Sequence, residues 1–159
     1  MKPVKLITGL FFASTLVILM SCQGPKSPAV VTQLKCEFQE NPIGIDRTNP
    51  MLQWKMEDER RGAKQTAYQV IVSSSLQNAE QEDGDVWNTE QVSSDQSVHV
   101  RYEGPQLQPT QKYFWRVRVW DKEGVVSGWS EPASWETGLM NESNWQAEWI
   151  ARSAENPGR

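Results

Sequence analysis

The chain has 159 residues, 38% of them hydrophobic and 23% charged, with 16 basic against 20 acidic side chains and a net charge of −4. That length holds one ordinary domain or slightly more. The composition is neither disordered nor collagenous, two cysteines cannot build a disulfide scaffold, and the acidic balance argues against a nucleic-acid partner. Eight tryptophans, against three tyrosines and four phenylalanines, are the outlier. So large and amphipathic a side chain needs either a broad core or an adhesive surface.

Lys2 and Lys5 introduce an uncharged apolar run from Leu6 to Met20. It is shorter than the roughly 20 residues a spanning helix requires, and it fits a signal peptide. The run closes on Leu19-Met20-Ser21-Cys22, which resembles the lipobox of bacterial lipoproteins. The resemblance implies that residues 1–21 are removed and that Cys22 carries the lipid. The product is then an exported lipoprotein of the cell envelope, facing the periplasm or the outer-membrane surface, with enough acyl chains for stable membrane anchoring. An ordinary secretory peptide with a chance cysteine is the alternative. Residues 22–29, with Pro25 and Pro28 among small polar side chains, read as a tether. Cys36 is then the remaining thiol, and its alternation with Leu34 and Phe38 makes it a small buried hydrophobe.

Beyond Val31 the hydrophobic pattern repeats every two residues, the period of a strand with one buried face. Leu34, Cys36 and Phe38 mark a first strand, and Leu52, Trp54 and Met56 a second, entered through Asn49-Pro50. Tyr68, Val70 and Val72 mark a third over about Thr66 to Ser73, and Leu76 to Gln81 is a short helical candidate. Val86 and Trp87 form a brief fourth run after Asp83-Gly84-Asp85, and Val98, Val100 and Tyr102 a fifth, closed by Gly104-Pro105. Tyr113, Trp115, Val117 and Val119 mark the longest, and Ala133 with Trp135 the seventh. Glycine and proline punctuate nearly every boundary. Seven short strands in about 110 residues predict an all-β, immunoglobulin-like sandwich over residues 30–139. Leu107-Gln108-Pro109 followed by Tyr113 looks like a tyrosine corner, and Trp54 on the second strand points to the fibronectin type III branch. Trp54 and Trp115 are expected in the core.

The chemistry-bearing residues form no catalytic set. His99 is the sole histidine, alternates with Val98 and Val100, and should face solvent without triad partners. One histidine and one thiol cannot make a zinc site, and Asp83-Gly84-Asp85 lacks the carboxylate spacing of a calcium loop and reads as a solvated turn. No glycine-rich loop cradles phosphate, so no metal or cofactor is expected. Glu57, Asp58 and Glu59 beside Arg60 and Arg61 read as an exposed, self-neutralising turn. Phe114, Arg116, Arg118 and Trp120 share the outward register of the sixth strand. This face admits three readings: cation–π stacking within the domain, an interface with a neighbouring domain, or a platform for sugar rings.

The stretches LKCEFQENPIGID, NPMLQWKM, RGAKQTAYQVIVSSS, GDVWNTEQVSSDQSVHV, YFWRVRVWDKEG, SGWSEPASWETGL and NWQAEWI, taken together, resemble the N-terminal region of bacterial α-L-rhamnosidases over about Leu34 to Ile150. The resemblance implies a fibronectin-III-like or immunoglobulin-like sandwich, followed in these large inverting glycosidases by further β-domains and an (α/α)-barrel that carries the catalytic acid and base. No catalytic residue therefore maps onto this chain. Residues 140–159, with Trp145 and Trp149, match a linker and the opening of the next β-domain, so the chain is expected to be a fragment of a longer precursor. The expected role is that of a non-catalytic accessory domain whose partners are the downstream domains of the same enzyme and rhamnose-containing glycans. A carbohydrate-binding or cell-surface adhesion module is the alternative.

Overall fold

The computed structural model describes residues 27–147. Seven strands form two antiparallel sheets. Strands β1 (Val30–Cys36), β2 (Met51–Glu57) and β5 (Val100–Arg101) lie in the order β1-β2-β5. Strands β4 (Trp87–Asn88), β3 (Ala67–Ser73), β6 (Lys112–Trp120) and β7 (Ala133–Glu136) lie in the order β4-β3-β6-β7. The sheets face each other as an immunoglobulin-like sandwich, and the alternation on β6 decides which residues meet between them. Tyr113, Trp115, Val117 and Val119 point inward and are at most 4% exposed, opposite Leu52 and Trp54 of β2. Helix α1 (Leu76–Glu80) stands where the sequence places it. The side chain of Ser75 caps it by accepting the backbone N–H of Asn78 at 3.1 Å.

Two strands depart from the simple alternation, and in both the backbone turns left-handed. On β1 a bulge between Thr32 and Lys35, with Gln33 at φ 51°, resets the period, so that Val31 joins Leu34 and Cys36 on the inner face. Glu37 and Phe38 then take φ of 48° and 66°, which ends the strand. Phe38 lies outside against the edge of the His99 ring instead of continuing the buried row. The fifth strand likewise shrinks to two residues. His99 has φ 56°, held there by the Gln96 side-chain amide donating to the carbonyls of Val98 and His99, and Val98 is left 52% exposed. Val100 and Tyr102 keep their inward positions.

Strand β3 is buried on both faces, which its sequence does not announce. Tyr68, Val70 and Val72 enter the core, while Gln69, Ile71 and Ser73 are roofed by the segment after the strand. Gly84 is part of that roof: a β-carbon there would stand 2.7 Å from the Trp87 carbonyl oxygen and 3.0 Å from the Ile71 β-carbon, so no larger residue fits. Gly104 answers to the same constraint against the ring of Tyr102.

The corner before β6 is stapled twice. The Tyr113 hydroxyl accepts the backbone N–H of Gln108 at 2.8 Å, and the Thr137 hydroxyl donates to the Gln108 carbonyl at 2.6 Å while accepting the N–H of Gln111 at 2.9 Å. Replacing Tyr113 by Phe removes the acceptor and leaves the Gln108 N–H without it. This should lower stability by about 1–3 kcal/mol in urea denaturation with no change in the far-ultraviolet spectrum.

Candidate functional site

The outward row of β6 gathers Phe114, Arg116, Arg118 and Trp120, each half-buried. The row is knitted to its surroundings. The Arg118 guanidinium carbon lies 4.6 Å from the centroid of Trp129 and 5.4 Å from that of Trp120, so the cation is shared by two indoles. Its Nε donates to Gln69 Oε1 at 2.8 Å, and Gln69 in turn donates to Asn88 Oδ1 at 2.8 Å, which carries the row across three strands. Arg116 donates from Nε to the Ser130 carbonyl at 2.7 Å and from Nη1 to the Ala79 carbonyl at 3.1 Å, near the C-terminus of α1. Lys112 reaches over the Phe114 ring at 5.5 Å. Trp129 and Gln69, which complete the row, come from outside the strand that suggested it. Only the pairing of β3 with β6 and the return of the chain before β7 bring them together.

A second polar cluster lies at the pole where the described chain begins. Asp121 is buried and accepts from the Ser27 hydroxyl at 2.7 Å, from Arg60 Nη2 at 2.7 Å, and from the backbone N–H groups of Glu123 and Val125. Asp58, with its side chain 1% exposed, accepts from Arg60 Nε and Nη2, and Glu123 pairs with Nη1. The turn read as exposed and self-neutralising does pair its own charges and keeps Glu57, Glu59 and Arg61 exposed, but the Asp58 side chain is buried in it: Arg60 joins three carboxylates and fastens Ser27 to the end of β6. Burial works against the charge of Asp121, but the Ser27 hydroxyl, Arg60 and the two backbone N–H groups outweigh it and hold the carboxyl below the ordinary range. The hydrogen bonds from Arg60 do the same for Asp58.

His99 is exposed, and no described group of three or more His, Cys, Asp or Glu side chains could hold a metal ion. Cys36 is buried, and burial, with Glu37 beside it, pushes its thiol up to about 12, so it stays protonated and inert. A cleft of 570 Å³ opens between the edges of β4 and β5, with Tyr68 and Trp87 among its lining and His99, Arg101 and Glu103 around it. Among the described residues no helix is long and apolar enough to cross a membrane. Cys22 and the leader lie outside the described residues, as does Trp149.

A family model described as "Rha78A-like, N-terminal immunoglobulin domain" matches residues 31–141. An alpha-L-rhamnosidase of Streptomyces avermitilis is 47% identical over 124 residues, which cover 78% of this chain and 12% of that protein. One of Formosa agariphila is 42% identical over 113 residues, covering 70% of this chain and 12% of its own length. The solved alpha-L-rhamnosidase of Dictyoglumus thermophilum superposes with a TM-score of 0.76 at 48% identity, over 79% of this chain and 14% of the other. The chain thus spans about an eighth of the length of these relatives.

Two outcomes test the side-chain networks. Arg118→Ala removes the shared cation and the donor to Gln69 and should lower stability by about 1–2 kcal/mol in urea denaturation. Asp121 and Asp58 bind a proton more weakly folded than unfolded, so their contribution is complete above about pH 4 and is lost as the pH falls through their native values. Asp121→Asn should therefore lower the urea midpoint at pH 7 and flatten its decline between about pH 4 and pH 2.

Proposed function

Since the chain belongs to the family of Rha78A-like N-terminal immunoglobulin domains, we propose that it is a non-catalytic accessory domain of an α-L-rhamnosidase. In this reading it is a spacer between a lipid anchor and the body that hydrolyses terminal α-L-rhamnosides. The observation that carries the reading is one of proportion. The alignments cover 70–88% of this chain yet only 12–16% of the curated α-L-rhamnosidases. The geometry supports it. Ser27 is fastened at one end of β6, beside Asp121, whereas Trp145 follows the strand that pairs with the other end, through Lys112 and Glu136. The chain enters at one pole and leaves at the opposite one, with β6, roughly 25–30 Å long, between them.

Lipidation of Cys22 at the Leu19-Met20-Ser21-Cys22 sequence would place the anchor at the first of these poles, after the short tether of residues 22–29. The domain would then hold the rest of the enzyme away from the envelope membrane. We read the face of Phe114, Arg116, Arg118 and Trp120 chiefly as internal cross-bracing, because its cations are already committed to indoles, carbonyls and Gln69. Trp120 stays half-exposed, and a sugar-binding role there would appear as a tryptophan fluorescence change on addition of a rhamnosylated glycan that Trp120→Ala abolishes.

The purified 159-residue chain should release no rhamnose from a chromogenic α-L-rhamnoside, while a longer parent that contains it should. Turnover by the 159-residue chain alone overturns the accessory reading. Replacing Cys22 by Ala should move the expressed protein from the detergent-soluble membrane fraction to the aqueous one, and an unchanged distribution overturns the anchor.

A further inference from the structure

The two poles of the sandwich differ in chemistry, and the difference lies where the chain leaves. The first is closed by Arg60 and its three carboxylates. The second carries Ile43 at 80% exposure, Trp145 at 59% and Leu139 at 37%, three of the seven large hydrophobic side chains exposed among the described residues. Leu139, Met140 and Trp145 line a groove of 750 Å³, whose floor is the close approach of Gly44 and Gly138. Trp145 has no polar demand left on its neighbours, because its indole N–H donates to the Ala147 carbonyl at 2.8 Å. What it presents is therefore apolar surface.

The groove is also built rather than loose. The loop carrying Ile43 runs beside the end of β7 and is tied to it three times. Glu136 N–H donates to the Pro42 carbonyl at 2.9 Å, Ile45 N–H to the Glu136 carbonyl at 3.0 Å, and Gly138 N–H to the Ile45 carbonyl at 2.7 Å. Thr110 N–H secures Gly138 from the other side at 2.9 Å. Asp46 and Glu142 add exposed carboxylates to the lining.

We propose that this groove is the docking surface for the domain that follows residue 147 in the longer parent, and that the docked face is apolar with a basic or N–H-donating margin. The inference rests on the accessory-domain reading and names its partner. Two observations select this occupant over a second copy of the chain. The exposed apolar patch is three side chains, one of them only 37% exposed, against the roughly 1,200–2,000 Å² of total surface that a free-standing dimer buries. A body tethered within a few residues of Trp145, however, is held at an effective concentration near millimolar and needs no such area. The acidic lining also repels an identical copy and favours a basic margin.

Hydrogen exchange tests it by comparing the 159-residue chain with the longer parent. Backbone amides of residues 42–46 and 138–147 should exchange at least about tenfold more slowly in the parent. The double variant Ile43→Asp, Leu139→Asp should return them to the rates of the short chain without unfolding the domain, since both side chains are exposed. Equal rates in parent and short chain overturn the proposal. So does concentration-dependent protection of the same amides in the short chain accompanied by dimer in sedimentation. A parent that releases no rhamnose overturns the accessory reading instead, whatever the exchange shows.

Discussion

The space between the two sheets is filled by aromatic rings, and this constraint organises the domain. Trp135 sits at its centre, stacked on Tyr113 at 5.7 Å, tilted against Trp115 at 6.3 Å, and meeting the edge of Tyr102 at 6.1 Å. Tyr102 extends the chain of rings to Trp87, and Trp54 closes the far side on Tyr68. No inter-sheet disulfide crosses this space, and the one thiol in it, Cys36, is packed as a hydrophobe. Rings of this size bury much area with few rotatable bonds, which suits a small sandwich with little depth. There is a cost: the indole N–H groups of Trp115 and Trp135 are buried without a partner, whereas that of Trp54 reaches Gln65 at 3.0 Å. The core accepts two unmet donors in exchange for volume that no smaller side chain supplies.

Much of what a local repeat sets could be read from the residues alone. The inward faces of β2 and β6, the short helix after β3 and the tyrosine corner follow from periods of two and from single residues at fixed offsets. The strand readings that failed are the ones where the backbone leaves the extended region for the left-handed one. Phe38 and Val98 belong to an alternating pattern, but Glu37, Phe38 and His99 turn left-handed, and none of them is a glycine that would have signalled it. Longer-range pairing was beyond reach as well. Nothing in the run from Glu57 to Arg61 tells that Arg60 will meet Asp121, and nothing on the sixth strand tells that Trp129 will share Arg118 with Trp120. The resemblance to rhamnosidases, carried by long ordered segments, reached the family where residue chemistry alone reached only a sandwich without a catalytic set.

At one edge of each sheet the strand is cut short. Beside the long pair β3 and β6, the strands β4 and β5 are two residues each. Beyond them the chain crosses between the sheets through isolated contacts, such as Tyr68 with Val92 and the Trp54 N–H with the Ser97 carbonyl. An edge this short offers little backbone for another chain to pair with. Left-handed residues at Glu90 and His99 on either side of the gap interrupt any longer ladder. The irregularities that defeat a simple strand reading thus also limit pairing at these two edges, while β1, seven residues long, remains the longer edge of its sheet.

The placement of the two chain ends has a mechanical consequence. β1 leaves the Ser27 pole and β7 runs toward the Trp145 pole, so tension between the ends acts along the strands rather than across them. Drawn apart in this way, β1 must slide past β2 and β7 past β6, and the hydrogen bonds of each pair carry the load together instead of opening one by one. The Arg60 clasp takes up the pull at one end, and the ties between Ile45, Glu136 and Gly138 take it up at the other. The strand arrangement thereby sets the sandwich to resist shear along the axis between its two described ends.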